Sequence, residues 1–500
     1  METGTTVSHD DIITCFQSIW DRRTPEELKT LAQIKRFLEW LTGDPDFRAA
    51  LAANVDDPNK VAAEYGIDID LNLILPTYHR GYFKYRRTPE VVNYPLTKMW
   101  DDYMADFKEH RNYLRDHGEA GARNPRFSAW RKRQMARADS ELGGSGPSIS
   151  HPIAAFELAR GCSVGCWFCG ISADRFAGYQ PYDAETEVLW RGVIGVMADR
   201  FGTAAQSGFC YWATDPSDNP DYPKYIDAFR EITGYLPQTT MAAPLKRIEM
   251  TREVLDLFTK HRNIVNRFSI INLKSLREVL RTFTADELFG VELVQQHKEA
   301  MQTNKARAGR ALDRIDKQRA AGKDVEFNPS LVDHSTIACV SGFLVNIMDR
   351  SVKLVAPTRA GDRWRTGYRV YEERHFNTAE EFAAAVDAMI ERYMPMSLAA
   401  EDRVAFRPDL TYDGDVDGGF SLTTNVHGFT MKGYAFAKRL GEMVARGDMT
   451  AGQISDVLVR DGHDMFSVAN ALQELFDYGV LDDDPKYGGI RRLDEIQLAS

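Results

Sequence analysis

The chain has 500 residues, 43% of them hydrophobic, which is enough to bury a large core and to form two or three domains. Its formal net charge of −11 argues against nucleic acid as the main partner, because a phosphate backbone selects a basic surface. No segment approaches the ~20 uninterrupted apolar residues that span a bilayer, and the first residues lack the basic-then-apolar order of a secretory signal. The sequence therefore predicts a cytoplasmic protein that enters no membrane.

Residues 1–99 are predicted to form a helical module in which apolar residues repeat at intervals of three and four. Asp44, followed by Pro45, is typical of the start of a helix within this module. An arginine-rich segment at 100–147 is predicted to be a helical linker, and the glycines at its end mark a domain boundary.

Residues 148–395 alternate short apolar runs with helical segments. Predicted strands lie at 153–159, 208–213, 239–243 and 267–273, and predicted helices lie at 185–200, 221–232 and 250–261. This alternation predicts an α/β fold with a parallel sheet and right-handed crossovers, closed or partly closed as a βα barrel. A charged stretch at 283–328 is predicted to be an exposed helical insertion.

Two further features follow towards the carboxyl terminus. Apolar runs on either side of Asp349 and Arg350 predict two adjacent strands in a hairpin, with Cys339 at the centre of a strand that ends at Gly342. Residues 396–500 carry helical stripes that predict a winged-helix-like domain, and its acidic flanks argue against DNA binding.

Three cysteines stand close together at Cys162, Cys166 and Cys169, in the spacing C-x3-C-x2-C. A four-iron cluster normally takes four thiolates, so three cysteines leave one iron open, where S-adenosyl-L-methionine can chelate. The alternative is a structural zinc site, which needs four ligands and usually a second ligand pair. The sequence has no second pair, and His151 lies before the predicted strand rather than after it.

The stretch ELARGCSVGCWFCG resembles the cluster loop of the radical SAM superfamily, in which an aromatic residue, here Phe168, commonly precedes the third cysteine. Longer stretches, among them GFCYWATDPSDNPDYPKY, PQTTMAAPLK and NRFSIINLKSL, resemble the radical SAM peptide epimerases of the proteusin type, which mature ribosomally synthesised and post-translationally modified peptides (RiPPs). The resemblance covers most of residues 30–375.

This resemblance implies a partial (βα)6-type radical SAM TIM barrel that holds one [4Fe-4S] cluster and S-adenosyl-L-methionine. The partners that it implies are a RiPP precursor peptide, leader plus core, and an external electron donor such as flavodoxin or ferredoxin. Besides Phe168, the residues that it places at the cofactor are Tyr211, Trp212, Thr214, Asp215, Thr239, Thr240 and Ser269.

Beyond the three clustered cysteines the chain has only Cys15, Cys210 and Cys339, which are too few for a second cluster. The reaction is therefore expected to need no internal electron acceptor. L-to-D epimerisation meets this condition, because one group removes the α-hydrogen and a cysteine thiol returns a hydrogen atom to the opposite face. Cys339 is the candidate donor, and a buried structural cysteine is the alternative interpretation.

Other reactions remain open. If relatives carry their hydrogen donor in the turn after the second strand of the hairpin, this chain lacks it, since Ala356, Pro357 and Thr358 stand there. The reaction would then be another radical peptide modification, such as decarboxylation, dehydrogenation, crosslinking or cleavage. A rival from another class is a non-catalytic, zinc-stabilised binding protein. Residues 359–364 (RAGDRW) are a candidate peptide contact or a surface salt-bridge cluster.

Overall fold

A computed structural model describes residues 19–117, 120–121, 123–263, 266–303, 305–323, 336–424 and 427–485. Cys15 lies outside these residues. The protein is of mixed α/β class, and its chain divides into two compact units. The first comprises Met1–Glu119, Phe156–Cys166 and Ala173–Asn304, and the second comprises Ala120–Ala155, Trp167–Ser172 and Lys305–Ser500. Within the described residues, no helix is both long enough and apolar enough to cross a bilayer.

The α-helices are numbered in chain order. They are α1 (Pro25–Gly43), α2 (Pro45–Ala53), α3 (Pro58–Glu64), α4 (Leu75–Tyr78), α5 (Pro95–His117), α6 (Pro125–Leu142), α7 (Ala184–Phe201), α8 (Tyr222–Thr233), α9 (Ile248–Lys260), α10 (Leu273–Thr282), α11 (Gly309–Ala320), α12 (Ala379–Tyr393), α13 (Ala437–Arg446), α14 (Ala451–Arg460) and α15 (Met465–Asp477). Short 3-10 turns connect several of them.

The strands are numbered in the same way. They are β1 (Ala154–Glu157), β2 (Ala159–Arg160), β3 (Gly178–Tyr179), β4 (Thr239–Met241), β5 (Asn266–Ile270), β6 (Val291–Gln295), β7 (Gly342–Asn346), β8 (Ser351–Pro357), β9 (Tyr368–His375), β10 (Thr411–Asp413), β11 (Gly419–Thr423) and β12 (Gly428–Lys432).

The helices at the start of the first unit follow local sequence signals. Thr24 caps α1 in a capping box with Glu27, so that two of the free N–H groups at the helix start are satisfied. The Asp44 side chain accepts hydrogen bonds from the N–H groups of Asp46 (2.8 Å) and Phe47 (3.2 Å), which confirms Asp44 as the cap of α2.

Parallel strands form the centre of the first unit. β4, β5 and β6 are hydrogen-bonded in that order, with α9 and α10 in the two connections. Phe209 forms a parallel bridge with Gln238, next to β4, and accepts a hydrogen bond from the N–H of Phe156 in β1 (2.8 Å). Successive chain segments are therefore neighbours, and a helix lies between each pair. The described strands do not close into a barrel.

Two predictions for this region differ from the structure. Residues 208–213 were predicted as a strand, but only the single bridge at Phe209 forms, although Phe209, Cys210 and Trp212 are buried. The charged stretch at 283–328 was predicted to be a helical insertion, yet it contributes β6 to the parallel sheet and then α11. Residues 324–328 of that stretch lie outside the described part of the chain.

In the second unit, β7 and β8 form the predicted antiparallel hairpin, which turns with Arg350 in a left-handed conformation (φ 52°), and β9 pairs with β8. The prediction that Cys339 lies in the centre of a strand is wrong, because β7 begins at Gly342 and Cys339 precedes it. The Ser341 N–H donates to the Pro152 carbonyl (3.1 Å), and the Phe343 N–H donates to the Ile153 carbonyl (2.8 Å).

A network of buried ions connects three parts of the second unit. Arg137 on α6 pairs with Glu141 (2.8 Å) and with Asp482 (3.1 Å), and Arg369 on β9 pairs with Asp484 (3.1 Å). Arg369 also pairs with Glu141. Asp484 accepts the indole N–H of Trp364 as well (3.0 Å) and lies 3.9 Å from Arg363, so the 359–364 cluster belongs partly to this internal network rather than to the surface.

The carboxyl-terminal part of the second unit has its own core. β10, β11 and β12 form an antiparallel sheet, and α13–α15 pack with it. Of the predicted helical stripes, Ile454, Leu458 and Leu475 are fully buried, whereas Phe466 is 73% exposed. Gly462 turns the chain between α14 and α15 with φ of 92°.

Candidate functional site: the cysteine loop

The loop that carries the cysteines begins directly after β2. The N–H of Cys162 donates to the Asp174 carbonyl (2.9 Å), and Cys162 forms an isolated bridge with Arg175. Gly161 has φ of 73°, and a β-carbon there would lie 2.3 Å from the Arg175 carbonyl oxygen, so only glycine fits. Gly165 has φ of 65° in open space. These two glycines allow the chain to turn tightly around the cysteines.

None of the three clustered cysteines is in a disulfide among the described residues, and each is partly exposed. Cys162 and Cys166 belong to the first unit, and Cys169 belongs to the second. Burial raises the pKa of the Cys162 thiol to about 12, and the nearby carboxylates of Asp215 and Asp218 add to the shift. The neutral thiol is therefore the favoured form of Cys162 at neutral pH.

An ion pair between a buried carboxylate and a partly exposed lysine holds the backbone of the loop. Asp218, whose side chain is fully buried, accepts a hydrogen bond from the N–H of Ser163 (2.9 Å) and pairs with Lys246. The Lys246 ammonium also donates to the Ser163 hydroxyl (2.9 Å). Sequence reasoning missed both Asp218 and Lys246, because a pairing over such a separation leaves no local pattern.

Asp215 follows the bridge at Phe209, and both oxygens of its carboxylate already accept hydrogen bonds. One oxygen accepts the Ser217 N–H (3.0 Å) and the other accepts the Ala242 N–H just after β4 (2.6 Å). Asp215 therefore caps a short turn and joins it to β4. Glu157, which sequence reasoning also missed, accepts the Ala213 N–H (2.9 Å) and fixes the same segment to the end of β1.

The other residues that the resemblance places at the cofactor lie on or beside three successive segments of the first unit. Tyr211 donates to Gln238, and the Gln238 amide donates to Thr240 (2.8 Å), so the structure links Tyr211 and Thr240 through one side chain. The Thr239 hydroxyl is hydrogen-bonded to Tyr222 (2.9 Å). Trp212 is buried, and Thr214 is partly buried.

Ser269 is partly buried on β5, one strand further along the sheet. It pairs there with Val294 of β6, on the side away from β4 in strand order. The structure therefore brings Tyr211 and Thr240 into one hydrogen-bonded chain, and it places Ser269 on the adjoining strand.

In the second unit, cations cover an aromatic pair from the cysteine loop. Trp167 and Phe168 meet edge to face with ring centroids 5.4 Å apart. The Lys305 ammonium lies 4.9 Å from the Phe168 ring, and the Arg314 guanidinium lies 4.5 Å from the Trp167 ring. The Cys169 carbonyl accepts the Arg310 N–H (3.0 Å). The charged segment around α11 thus packs on the loop instead of facing only solvent.

The segment that carries the candidate donor Cys339 runs beside one end of this loop. Cys339 is partly buried and is in no disulfide among the described residues. A β-carbon built on Gly170 would lie 2.9 Å from the Ile337 side chain, so the segment before β7 runs beside the residue that follows Cys169. Cys210, by contrast, is fully buried, and burial raises its thiol pKa well above the usual value.

Three thiols are the donor type that iron–sulfur clusters use, and none of the three clustered cysteines is in a disulfide among the described residues, but their side chains are not gathered around one point. No three His, Cys, Asp or Glu side chains within the described ranges are grouped as ligands of a metal ion. His151, which a zinc site would recruit, is buried, and its Nδ1 is hydrogen-bonded to the Ser341 hydroxyl (2.7 Å). It is therefore already committed to an internal contact.

The fold and the loop define an α/β protein with parallel βαβ units, a three-cysteine loop and a separate carboxyl-terminal core. Residues 404–479 match the family described as the protein y4wI C-terminal domain. Over 469 residues the chain is 45% identical to the "Uncharacterized protein y4wI" of Sinorhizobium fredii strain NGR234, an alignment that covers 94% of this chain and 90% of that protein. The chain therefore belongs to the y4wI family. No solved structure matches it.

Proposed function

We propose that this protein is a radical S-adenosylmethionine enzyme that modifies a ribosomally synthesised peptide. The observation that carries the proposal is the set of Cys162, Cys166 and Cys169, three cysteines that are in no disulfide among the described residues and lie in a loop shaped by Gly161 and Gly165 directly after β2. The partial (βα)6 barrel and the winged-helix-like form of the carboxyl-terminal core are part of the same proposal.

The position of the loop supports this function. Cys162 follows β1 and β2, Asp215 follows the bridge at Phe209, and Ala242 follows β4. The segment at Phe209 runs parallel to the one that leads into β4, and β5 and β6 run the same way, so Asp215 and Ala242 lie at carboxyl ends of parallel segments, where α/β sheets and barrels place their ligands and reacting groups. The Ala213 N–H donates to the Glu157 side chain, and the Ala242 N–H donates to the Asp215 side chain, so these segment ends are held next to one another.

The roles of the residues follow from their places. Cys162, Cys166 and Cys169 would hold a [4Fe-4S] cluster, and the segment with Tyr211 and Asp215 would lie beside S-adenosyl-L-methionine. When bound, the reduced cluster and its ligand supply a carbon-centred radical that removes a hydrogen atom. Phe168 and Trp167 would limit access of water to the loop. Soluble electron carriers such as flavodoxin or ferredoxin would supply the reducing electron.

L-to-D epimerisation is the leading reaction. One hydrogen atom leaves the α-carbon of an L-residue, and the Cys339 thiol gives a hydrogen atom to the opposite face of the planar radical. The sulfur radical left on Cys339 then takes one electron from the external donor and one proton from solvent. Because no second cluster of thiolates exists in the sequence, this electron has no other source.

The test of the proposed function is anaerobic reconstitution of the full chain with iron and sulfide. We expect visible absorbance of a four-iron cluster and release of 5′-deoxyadenosine from S-adenosyl-L-methionine under reducing conditions. Cys162→Ala should lose both signals, whereas the matched variant Cys339→Ala should keep the cluster. Failure of the intact protein to bind iron, or to release deoxyadenosine when loaded, would reject the proposal.

The role of Cys339 has a separate measurement. With a substrate peptide in deuterium oxide, epimerisation adds about one mass unit per converted residue. Decarboxylation instead removes carbon dioxide, and crosslinking removes two hydrogen atoms. Cys339→Ala should stop deuterium incorporation while deoxyadenosine is still released. If the variant still makes D-residues at the normal rate, Cys339 is not the donor.

A further inference from the structure

An open cleft of about 700 Å³ lies in the first unit, away from the cysteine loop in sequence. Helix α1, the end of α3 and the carboxyl-terminal part of α10 line it. The candidate active-site residues do not contribute to its walls. Its lining combines aromatic rings with charged groups, which is the composition of a ligand site rather than of a packing defect.

Arg36 supplies a buried cation to this cleft. Its side chain donates to the Leu280 carbonyl and to the Phe283 carbonyl (2.7 Å), but its Nε has no hydrogen-bond partner in the described part of the chain. The residue is only 6% exposed. Glu39, three residues further along α1, is ion-paired with Lys35, and its carboxylate, like those of Asp286 and Glu287, acts on the Arg36 charge only from a distance. None of these carboxylates forms an ion pair with the guanidinium in the described part of the chain, so the Arg36 Nε–H is left to bind an anion.

Trp40 supplies a second unused donor one helical turn from Arg36. It is 5% exposed, and its indole N–H has no partner among the described residues. The Trp40 ring meets the Tyr65 ring edge to face, with centroids 5.0 Å apart, and both residues line the cleft. Together they offer an apolar wall with a hydrogen-bond donor in it.

The acidic groups at the cleft do not cancel these donors. Asp44 and Asp46 are both engaged by Arg277, at 2.7 Å and 2.6 Å. Glu64 is exposed, as is Arg281, which also lines the cleft and is in no ion pair within the described ranges. The groups of the buried wall that have no hydrogen-bond partner are thus N–H donors. Such donors bind a carboxylate and do not bind a cation.

We propose that this cleft binds the carboxylate of an acidic residue in a peptide, with an adjacent apolar side chain against Trp40 and Tyr65. Arg36 and the Trp40 indole N–H bind the carboxylate, and Arg281 approaches it from the exposed side. The inference rests on the proposed function only in that the occupant is a peptide. It makes the amino-terminal helices a grip on the substrate at a distance in sequence from the reacting residues.

The test is calorimetric titration of the full chain with two synthetic peptides, N-acetyl-Leu-Glu-Leu-amide and its glutamine counterpart. We expect the glutamate peptide to bind about tenfold more tightly, as for one charge-assisted hydrogen bond. Arg36→Gln and Arg281→Gln should each reduce this preference. Lys29→Gln, an exposed cation on α1 outside the cleft, is the matched control and should bind as the parent does.

Equal binding of the two peptides, or binding of neither, would overturn the inference. If Arg36→Gln fails to fold, as judged by its melting curve, the exposed Arg281→Gln decides the question, and a preference unchanged in that variant counts against the site. Hexanoate is titrated in parallel, and binding of hexanoate without the peptide would show a free acid instead. These titrations need no cluster, so their failure leaves the proposed radical chemistry standing, and absence of deoxyadenosine leaves the cleft standing.

Discussion

At the scale of single residues, Asp218 has the most specific structural task near the cysteines. Its carboxylate holds the Ser163 N–H and the Lys246 ammonium at once, while its own side chain is fully buried. Water does not solvate a carboxylate that is buried in this way, so its protein partners must satisfy its charge. The ion pair therefore fixes the loop backbone before any metal is bound.

Asp218→Asn should loosen the loop, because the amide keeps the contact with Ser163 but loses the charge that binds Lys246. We expect a loss of about 2 kcal/mol in the free energy of unfolding, as for a hydrogen bond to a charged group, and faster alkylation of Cys162 measured by peptide mass. The control is Asp221→Asn, whose partner Lys224 is exposed, and which should cost less than about 1 kcal/mol. Equal alkylation rates in the parent and in Asp218→Asn would contradict this role.

At the scale of structural elements, the conformation of the cysteine loop depends on where its glycines stand. Gly161→Ala puts a methyl group against the Arg175 carbonyl and should cost roughly 3 kcal/mol in a denaturant titration. Gly165→Ala has the same left-handed backbone but open space around it, so only the conformational cost of about 1 kcal/mol applies. Similar losses for the two variants would show that the close approach to Arg175 does not matter.

Sequence patterns predicted the elements whose signals are local. The helices of the amino-terminal module were predicted correctly because caps such as Asp44 act within one turn. β6 was missed because its five residues lie inside a charged stretch, and its pairing with β5 is not a property of its neighbours. The apolar run at 208–213 was wrongly predicted to be a strand, because a buried loop can be as apolar as a buried strand.

The local features of the candidate site could be predicted from the sequence, whereas its long-range contacts could not. The cysteine spacing and the loop glycines are visible in the sequence, and the structure gives both glycines left-handed backbones. The contact between Asp218 and Lys246 joins residues far apart in the chain, as does the contact between Glu157 and Ala213, and neither follows a periodic pattern. Cys339 was wrongly predicted to lie in a strand, because the apolar run begins before the true start of β7 at Gly342.

At the scale of the whole chain, the buried ions of the second unit make its stability depend on pH. Burial by itself raises the pKa of Glu141, but the charges of Arg369 and Arg137 outweigh it, and the folded-state pKa falls to about 2. Because this value lies below the unfolded value of about 4.3, the stabilisation is complete above about pH 4.3 and is lost as the pH falls towards 2. This carboxylate contributes on the order of 3 kcal/mol at neutral pH.

The measurement is the free energy of unfolding between pH 7 and pH 2.5 for the parent and for Glu141→Gln. The variant should be less stable at pH 7, because Arg137 and Arg369 lose a buried partner, and the difference should shrink below pH 4. Glu380→Gln, at the exposed start of α12, serves as the control and should follow the parent closely. A difference that stays constant across the pH range would contradict the assignment.

The same ions set a limit on how the molecule can be divided into pieces. The family match ends at residue 479, yet Asp482 and Asp484 beyond it neutralise Arg137 and Arg369. A fragment cut at 479 would leave Glu141 as the one acidic partner that this network gives to both buried guanidinium groups. Anyone who trims this chain for crystallisation should therefore keep the residues up to 485.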